Sequence, residues 1–167
     1  MSIDFKMLIP SEEIRGEDEA ETSELREMLN EATRYLSSFS WCKRIEESYF
    51  GCGVGAVFAV FLFKIRPSSD KVDEWIWVIV GDLPPAYITT EDAPNAACAL
   101  DAYIGAMTKW VEAAKNGRTV AGLIPVNVPP TPENAAQLQS RLDFLNKEIL
   151  SRYPGSLRGN AAADGGN

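Results

Sequence analysis

The sequence predicts an α+β fold, in which an antiparallel sheet of three to five strands lies among about three helices. Between residues 44 and 81 the chain is rich in β-branched and aromatic residues, with turn residues at short intervals. This composition is typical of strands joined by tight links. Before and after this region, apolar residues recur at helical spacing. Helices are therefore predicted over 22–39, 93–116 and 132–152.

Three strands form the predicted centre of the sheet: RIEESYF at 44–50, AVFAVFLFKI at 56–65 and EWIWVIV at 74–80. A parallel pair needs a crossover of about a dozen residues or more, and the links here are shorter. The meander is therefore predicted to be antiparallel. Further short strands are candidates at 3–9, 86–90 and 120–124.

The second and third of these strands are apolar on both faces. In 57–65 the odd-numbered positions are all apolar, and so are the even-numbered ones apart from Lys64; residues 75–80 are apolar throughout. A sheet with one solvated face would alternate apolar and polar residues. We therefore expect both faces to be covered, either by helices or by a second subunit.

A run of glycines precedes the most apolar strand, in the stretch SYFGCGVGAVFAVFLFKI. Gly51, Gly53 and Ala56 match the spacing of a dinucleotide-binding loop, but strand-forming residues follow them where that motif needs a helix. The uncharged run from 48 to 63 is shorter than the roughly 20 residues that span a bilayer as a helix. We expect a bend or bulge at 51–55, beside a central strand that is buried on both faces.

Residues that favour helix termini mark the ends of the three predicted helices. The expected N-caps are Thr22 or Ser23 for the first helix, Asp92 for the second and Thr131 for the third. Pro94 and Pro132 are expected in first turns, where a missing N–H has no consequence, and Gly117 at the end of the second helix. Apolar residues of the last helix are spaced alternately three and four apart, which favours core packing and leaves a dimer seam as an alternative.

Charge divides the chain unevenly. The net charge is -8, and residues 1–30 carry nine acidic residues against three basic ones. We predict an acidic, partly ordered segment over 1–21, a single α+β domain over 22–153 and a disordered tail over 154–167. No basic stripe is present, so nucleic-acid binding is not predicted. The acidic segment is interpreted as a solvated lead-in or as a surface for a basic partner, and the run EDEAE at 17–21 as a solvated face rather than a metal site.

The chain contains no histidine, which excludes the usual Ser-His-Asp and Cys-His nucleophile systems and zinc sites with imidazole ligands. No calcium-binding loop of the EF-hand pattern occurs. No catalytic residue, metal or cofactor is therefore predicted. Three scattered cysteines and the absence of a secretory signal favour a reducing compartment, the cytoplasm, and no membrane association is predicted.

Candidate binding residues occur in two neighbouring stretches and at one thiol. Asp82, Pro84, Pro85 and Tyr87 lie in GDLPPAYITTED, and Trp75 and Trp77 share one face of the preceding strand. Cys98 is the candidate reactive thiol, because a helix N-terminus favours the thiolate. Structural roles are the competing interpretation of each: a turn cap for Asp82, core packing for the aromatic residues and a small buried filler for Cys98.

These observations predict a small, acidic, non-catalytic protein that binds another protein, expected to be basic, with self-association as a homodimer also open. In size, charge and element order the chain is similar to small bacterial binding proteins such as toxin-immunity proteins and type III secretion chaperones, and an adaptor role is of the same kind. The alternative is a small-molecule-binding protein or histidine-free enzyme. Its pocket would lie near Asp82 and Tyr87, between the sheet and the 93–116 helix.

Overall fold

The computed structural model describes residues 3–153 and Leu157. It confirms an α+β fold with a five-stranded antiparallel sheet. The strands are β1 (Ile9–Pro10), β2 (Cys42–Val54), β3 (Phe58–Pro67), β4 (Trp75–Gly81) and β5 (Ala86–Thr89). The helices are α1 (Glu19–Ser37), α2 (Ala96–Lys115) and α3 (Pro132–Phe144).

The chain divides into two compact units, Met1–Ala99 and Leu100–Asn167. The domain limits at 22 and 153 stay predictions, and the expected tail at 154–167 lies outside the described residues, apart from Leu157. None of the helices in the described part of the chain is long and apolar enough to cross a membrane.

The sheet is a meander whose strand order follows the sequence, as predicted. The glycine-rich stretch interrupts β2, because Phe50 pairs with Phe61 and Cys52 with Val60, which leaves Gly51 as an extra residue. The predicted bulge is therefore confirmed, although β2 continues to Val54 instead of ending at 50. A tight turn follows, in which the Val57 N–H donates to the Val54 carbonyl over 2.9 Å.

One face of the sheet packs against α1 in the first unit. The buried residues of this core come from the helix, from the turn before it and from one side of the strands. They are Ile14, Leu25, Met28, Ala32, Leu36, Cys42, Phe50, Ala59, Phe61, Phe63, Ile65, Ile76, Val78 and Val80. The helix presents Leu25, Met28, Ala32 and Leu36 at the spacing of an amphipathic helix, so one stripe of the sequence supplies this half of the core.

The opposite face of the sheet is also buried, as the two-sided apolar pattern predicted. Phe58, Val60 and Leu62 are each at most 1% exposed. Within the first unit, the Nε1–H of Trp77 donates to the carbonyl of Ala93 over 2.8 Å on this face. The start of α2 also approaches here, since a Cβ placed on Gly51 would lie 2.7 Å from the Cβ of Ala96. Gly51 thus permits the close approach that the sequence suggested.

Two predicted helix starts were wrong, because other polar residues take the cap positions. Asp18 caps α1, with its side chain accepting from the Glu21 N–H over 2.8 Å, so the helix begins at Glu19. Asn95 caps α2 by accepting from the Cys98 N–H, and the expected cap Asp92 and Pro94 precede the helix. Both helices therefore begin where a side-chain oxygen meets the third helical N–H.

The other helix termini were predicted correctly. Thr131 caps α3 by accepting from the Asn134 N–H over 3.1 Å, with Pro132 in the first turn. Gly117 ends α2 with φ 66°, and the Arg118 N–H returns to the Ala113 carbonyl. This pattern is that of a Schellman motif. After α3 the chain continues through a π-helical turn and a 3₁₀ turn to Arg152, so the last helix reaches its predicted end in a changed form.

Two predicted strands were wrong. Residues 120–124 form a turn, in which the Leu123 N–H donates to the Val120 carbonyl and Gly122 has φ 82°. The stretch 3–9 contributes only Ile9 to β1, because a turn between Phe5 and Leu8 interrupts it. The fourth strand at 86–90 is confirmed as β5.

Candidate functional site

An open cleft of about 790 Å³ lies beside the N-terminal turn of α1, in the first unit. We call it the acidic cleft. It is lined by Glu12, Glu13, Ile14, Arg15, Gly16, Glu17, Asp18, Glu19, Thr22, Ser23 and Arg26. Five of these residues are acidic and two are basic, so the acidic character of the N-terminal segment is concentrated in one concave surface.

Two acids of the EDEAE run hold this region together. Asp18 caps α1, and Glu21 accepts the Glu17 N–H over 2.7 Å and the Gly55 N–H over 3.1 Å. Glu21 thereby links the loop before α1 to the turn between β2 and β3. The sequence interpreted this run as a solvated face, and these two residues have structural roles that a charge pattern alone does not indicate.

The remaining carboxylates of the acidic cleft are exposed and lack internal cations. In the part of the chain that the structure describes, Glu12, Glu13, Glu17 and Glu19 form no ion pair within 4 Å. The nearby guanidinium of Arg26 instead donates to the backbone carbonyls of Glu12 and Ile14 over 3.3 and 3.4 Å. These charges are thus directed to solvent and available to a ligand or partner.

A second cleft, of about 400 Å³, lies along β2. We call it the edge cleft. Its lining consists of Pro10, Glu12, Ile45, Glu46, Glu47, Ser48 and Tyr49, so Glu12 borders both clefts. Among the residues that the structure describes, β1 pairs only with Tyr49 and Phe50, and the β2 residues before them have no strand neighbour on this side. The short β1 therefore leaves room for the edge cleft.

An aromatic triad, formed by Phe5, Tyr49 and Trp75, adjoins the edge cleft through Tyr49. The ring of Phe5 meets those of Tyr49 and Trp75 edge-on, with centroids 5.6 and 5.3 Å apart. The Lys64 ammonium lies 5.8 Å from the Trp75 ring centroid and 3.7 Å from Glu47 Oε2. The surface thus combines aromatic rings with charges of both signs.

The Tyr49 hydroxyl connects this triad to the carboxylates. It donates to Glu47 Oε1 over 2.6 Å. This hydrogen bond is the largest cause of the raised pKa of Tyr49. Burial and the negative charges of Glu47 and Glu12 raise this pKa further. On the same edge, the hydrogen bond from Arg44 holds the pKa of Glu46 below its usual value. Tyr49 therefore remains a neutral donor beside a negatively charged cleft.

A second group of aromatic residues, the aromatic quartet, lies where α1 ends and β5 forms the other edge of the sheet. It consists of Tyr35, Phe39, Trp41 and Tyr87. Phe39 stacks on Trp41 at 4.9 Å, and the Tyr87 ring meets both edge-on. Burial raises the pKa of Tyr35 to about 12, with the nearby Tyr87 hydroxyl adding to the shift and a backbone hydrogen bond from Tyr87 opposing it.

The residues predicted around Asp82 and Tyr87 are not brought together. The exposed Asp82 follows β4 and donates its N–H to the carbonyl of Val57 beside the β2–β3 turn. Tyr87 pairs with Val78 of β4. Val78 precedes Asp82 by four residues, so the positions of Tyr87 and Asp82 are separated by roughly 13 Å along the strand. Its ring belongs to the aromatic quartet, on the α1 side of the sheet. Pro84 and Pro85 are half-buried in the loop between these strands.

Gly81 explains the backbone geometry at this loop. It has φ 143°, and a side chain there would collide with the carbonyl of Val57. The glycine therefore lets the end of β4 pass against the β2–β3 turn. In this structure the stretch GDLPPAYITTED turns the chain from β4 into β5, which agrees with the structural interpretation of these residues.

The two predicted tryptophans differ in exposure although they share a face of β4. Trp77 is 0% exposed, whereas Trp75 is half-buried within the aromatic triad. The two tryptophans therefore do not form a shared binding surface, because only Trp75 of the pair is accessible to a partner. Cys98 is 5% exposed, close to the N-terminus of α2, and Cys42 and Cys52 are also buried. Burial leaves the Cys98 thiol little access to reagents.

The chain matches no known protein family, no curated protein sequence and no solved structure. Among residues 3–153 and Leu157, no group of three or more histidine, cysteine, aspartate or glutamate side chains is arranged to hold a metal ion.

Sequence reasoning missed Phe5, Glu12, Glu47 and Tyr49. The sequence could have indicated one part of this site. Glu47 and Tyr49 are two residues apart in a predicted strand, so their side chains share a face. The approach of Phe5 to Tyr49 and Trp75 joins residues distant in sequence, and no local pattern indicates it.

Proposed function

We propose that this protein is a non-catalytic, protein-binding protein that engages a basic partner through the acidic cleft. The observation that carries the proposal is the set of exposed carboxylates, Glu12, Glu13, Glu17 and Glu19, that form no ion pair in the described part of the chain. A partner with lysine or arginine side chains would meet charges that are not already neutralised. An immunity-, chaperone- or adaptor-like role is consistent with such binding.

Electrostatic attraction of this kind acts chiefly on association and specificity. Complementary charge accelerates encounter and disfavours acidic competitors, while exposed charges are screened by salt over about 10 Å at 0.1 M ionic strength. We therefore expect a complex that forms readily at low salt and weakens as salt is added. The odd and small number of cysteines, three, favours a reducing compartment such as the cytoplasm as its location.

The experiment is a recovery of tagged protein from its native host at low salt, with partners identified by mass spectrometry. The test variant carries Glu13→Lys and Glu17→Lys, two exposed side chains without a capping role. The matched control carries Asp101→Lys and Glu112→Lys, which makes the same charge change on exposed positions of α2. Asp18 and Glu21 are left intact because they hold the fold.

We expect a stoichiometric, salt-sensitive complex with a basic protein for the unmodified chain and for the control, and its loss for the cleft variant. Equal recovery of the partner by both variants would contradict the proposal, as would the absence of any retained partner at low salt. We also propose that the protein self-associates as a homodimer, and light scattering on the same samples tests this.

A further inference from the structure

We propose that the edge cleft and the aromatic triad together form a subsite for an arginine side chain of the basic partner. This inference rests on the proposed function and assigns the anchor point within it. The acidic cleft and the subsite share Glu12, so one extended basic segment can contact both.

The chemistry of the subsite is that of a guanidinium-binding surface. Tyr49 lines the edge cleft and belongs to the triad, and its hydroxyl donates to Glu47, which lines the same cleft. A ring face and carboxylates thus lie next to each other. Arginine uses both, because its planar guanidinium stacks on aromatic rings and pairs with carboxylates through two parallel hydrogen bonds. A lysine ammonium is a point charge and uses this pairing less well.

The chain's own Lys64 shows that this surface stabilises a cation. Its ammonium lies over Trp75 and beside Glu47. Lys64 is not among the residues that line the edge cleft, so the Tyr49 side of the surface is open to a second cation. Arg44 pairs with Glu46 at 3.0 Å, but this pair is exposed, and such pairs exchange readily for a partner's charge.

The N-terminal stretch that supplies Phe5 to the triad exposes apolar side chains, as protein interfaces do. Phe5 is 44% exposed, Met7 67% and Ile9 38%. Interfaces typically surround a few aromatic anchors with apolar and then polar residues. Here the anchors are Tyr49 and Trp75, and the polar rim is the row of carboxylates.

Recognition at this edge is expected to use side chains rather than strand pairing. The register of β2 against β3 shifts near Lys43 and again near Glu46, and charged residues occupy this edge. Bulges and charges of this kind discourage the addition of another strand. The partner segment therefore lies across the edge cleft without extending the sheet.

The test measures binding of an oligo-arginine peptide and an oligo-lysine peptide of equal length to the full chain by isothermal titration calorimetry at low salt. The subsite variants are Tyr49→Leu and Glu47→Gln, and circular dichroism checks that each one folds. Glu47→Gln keeps a hydrogen-bond acceptor for Tyr49 and removes only the charge. Trp41→Leu in the aromatic quartet is the matched control for loss of a half-buried aromatic residue.

We expect the oligo-arginine peptide to bind more tightly than oligo-lysine. Each subsite variant should weaken oligo-arginine binding by about tenfold, the change that loss of one cation–π contact or one charged partner typically produces. The Trp41→Leu control should bind as the unmodified chain does.

Unchanged oligo-arginine binding in Glu47→Gln and in a folded Tyr49→Leu would overturn the subsite. If Glu13→Lys with Glu17→Lys then still abolished binding, the proposed function would stand while the subsite fell. Equal affinity for the two peptides would overturn the choice of arginine.

Discussion

Trp75 and Trp77 lie two residues apart on β4 and point to the same face of the sheet, yet the fold uses them differently. Trp77 is completely buried and donates its Nε1–H to the Ala93 carbonyl. Trp75 is half-buried in the aromatic triad, beside Phe5 and under the Lys64 ammonium. Residue type and strand face therefore do not separate a core residue from a surface anchor. The residues that surround each position along the strand decide whether the tryptophan is part of the core or of the surface.

The largest effect expected is on stability, at the buried member of the pair. Trp77→Ala should lower the free energy of unfolding by about 3–5 kcal/mol, because it removes a large buried side chain and leaves a cavity. Trp77→Phe keeps most of the ring but leaves the Ala93 carbonyl without its donor, for a loss of about 1–3 kcal/mol. Urea denaturation followed by circular dichroism measures both. A loss for Trp77→Ala no greater than for Trp75→Ala would contradict the assignment of Trp77 to the core.

Alkaline pH tests the stability of the same unit through its buried titratable groups. Burial raises the pKa of the Cys52 thiol to about 12 from its ordinary 9.0. Between these values the unfolded chain has released the proton and the folded chain has kept it. Stability is therefore complete below pH 9 and falls by about 1.4 kcal/mol per pH unit as pH rises toward 12.

Urea denaturation at a series of alkaline pH values measures this slope. Tyr35, whose pKa is raised to about 12 from 10.0, adds a smaller loss above pH 10, because part of its surface is exposed to solvent. Cys52→Ala is the control, and it should flatten the decline between pH 9 and pH 10. An unchanged slope in that variant would show that Cys52 is not the group responsible.

The exposed member of the pair should matter less to stability. Trp75→Ala removes edge-on contacts with Phe5, and aromatic pairs of this type contribute about 0.5–1.5 kcal/mol each. We expect a total loss of about 1–2 kcal/mol in the free energy of unfolding, well below that of Trp77→Ala. Trp41→Ala, which removes the corresponding ring from the aromatic quartet, is the matched comparison. A loss above 3 kcal/mol would place Trp75 in the core.

The smallest effect is expected at the rim of the edge cleft. Glu46→Gln removes the ion pair with Arg44, in which the Arg44 side chain is 63% and the Glu46 side chain 33% exposed. Since Arg44 lowers the pKa of Glu46, this pair stabilises the fold above the ordinary pKa of the carboxyl group and loses its effect as pH falls through the lowered value. The thermal midpoint at neutral pH should therefore change least of all. A shift as large as that of Trp75→Ala would mean that the rim supports the fold.

Much of the fold could be predicted because local patterns carried it. The strands of the meander, the stripe of α1, the C-terminus of α2 and the N-cap of α3 each follow from residues close together in sequence. The N-caps of α1 and α2 could not be chosen, because Asp18 competed with Thr22 and Ser23, and Asn95 competed with Asp92. In each case several residues had suitable side chains, and packing of the helix decided which one met the free N–H groups.

The candidate site was predicted only in its charge. The acidic N-terminal segment is visible in the composition, but Glu21 bonds to the Gly55 N–H across 34 residues of sequence. Similarly, Phe5 reaches Tyr49 and Trp75 through contacts that only the folded chain creates. Asp82 and Tyr87 are close in sequence. In the structure, however, Asp82 follows the end of β4, whereas Tyr87 lies in β5 opposite Val78, so the two side chains are separated.

The sequence by itself determined the class of the molecule: an α+β protein without histidine, with an acidic N-terminal part and a central strand buried on both faces. These properties follow from composition and from periods of two and 3.6 residues, which depend only on backbone geometry. Only the tertiary structure decided that Trp77 is core and Trp75 is surface, and that Glu12, Glu47 and Tyr49 border one cleft. Such contacts join distant segments, so their geometry follows from how the whole unit packs.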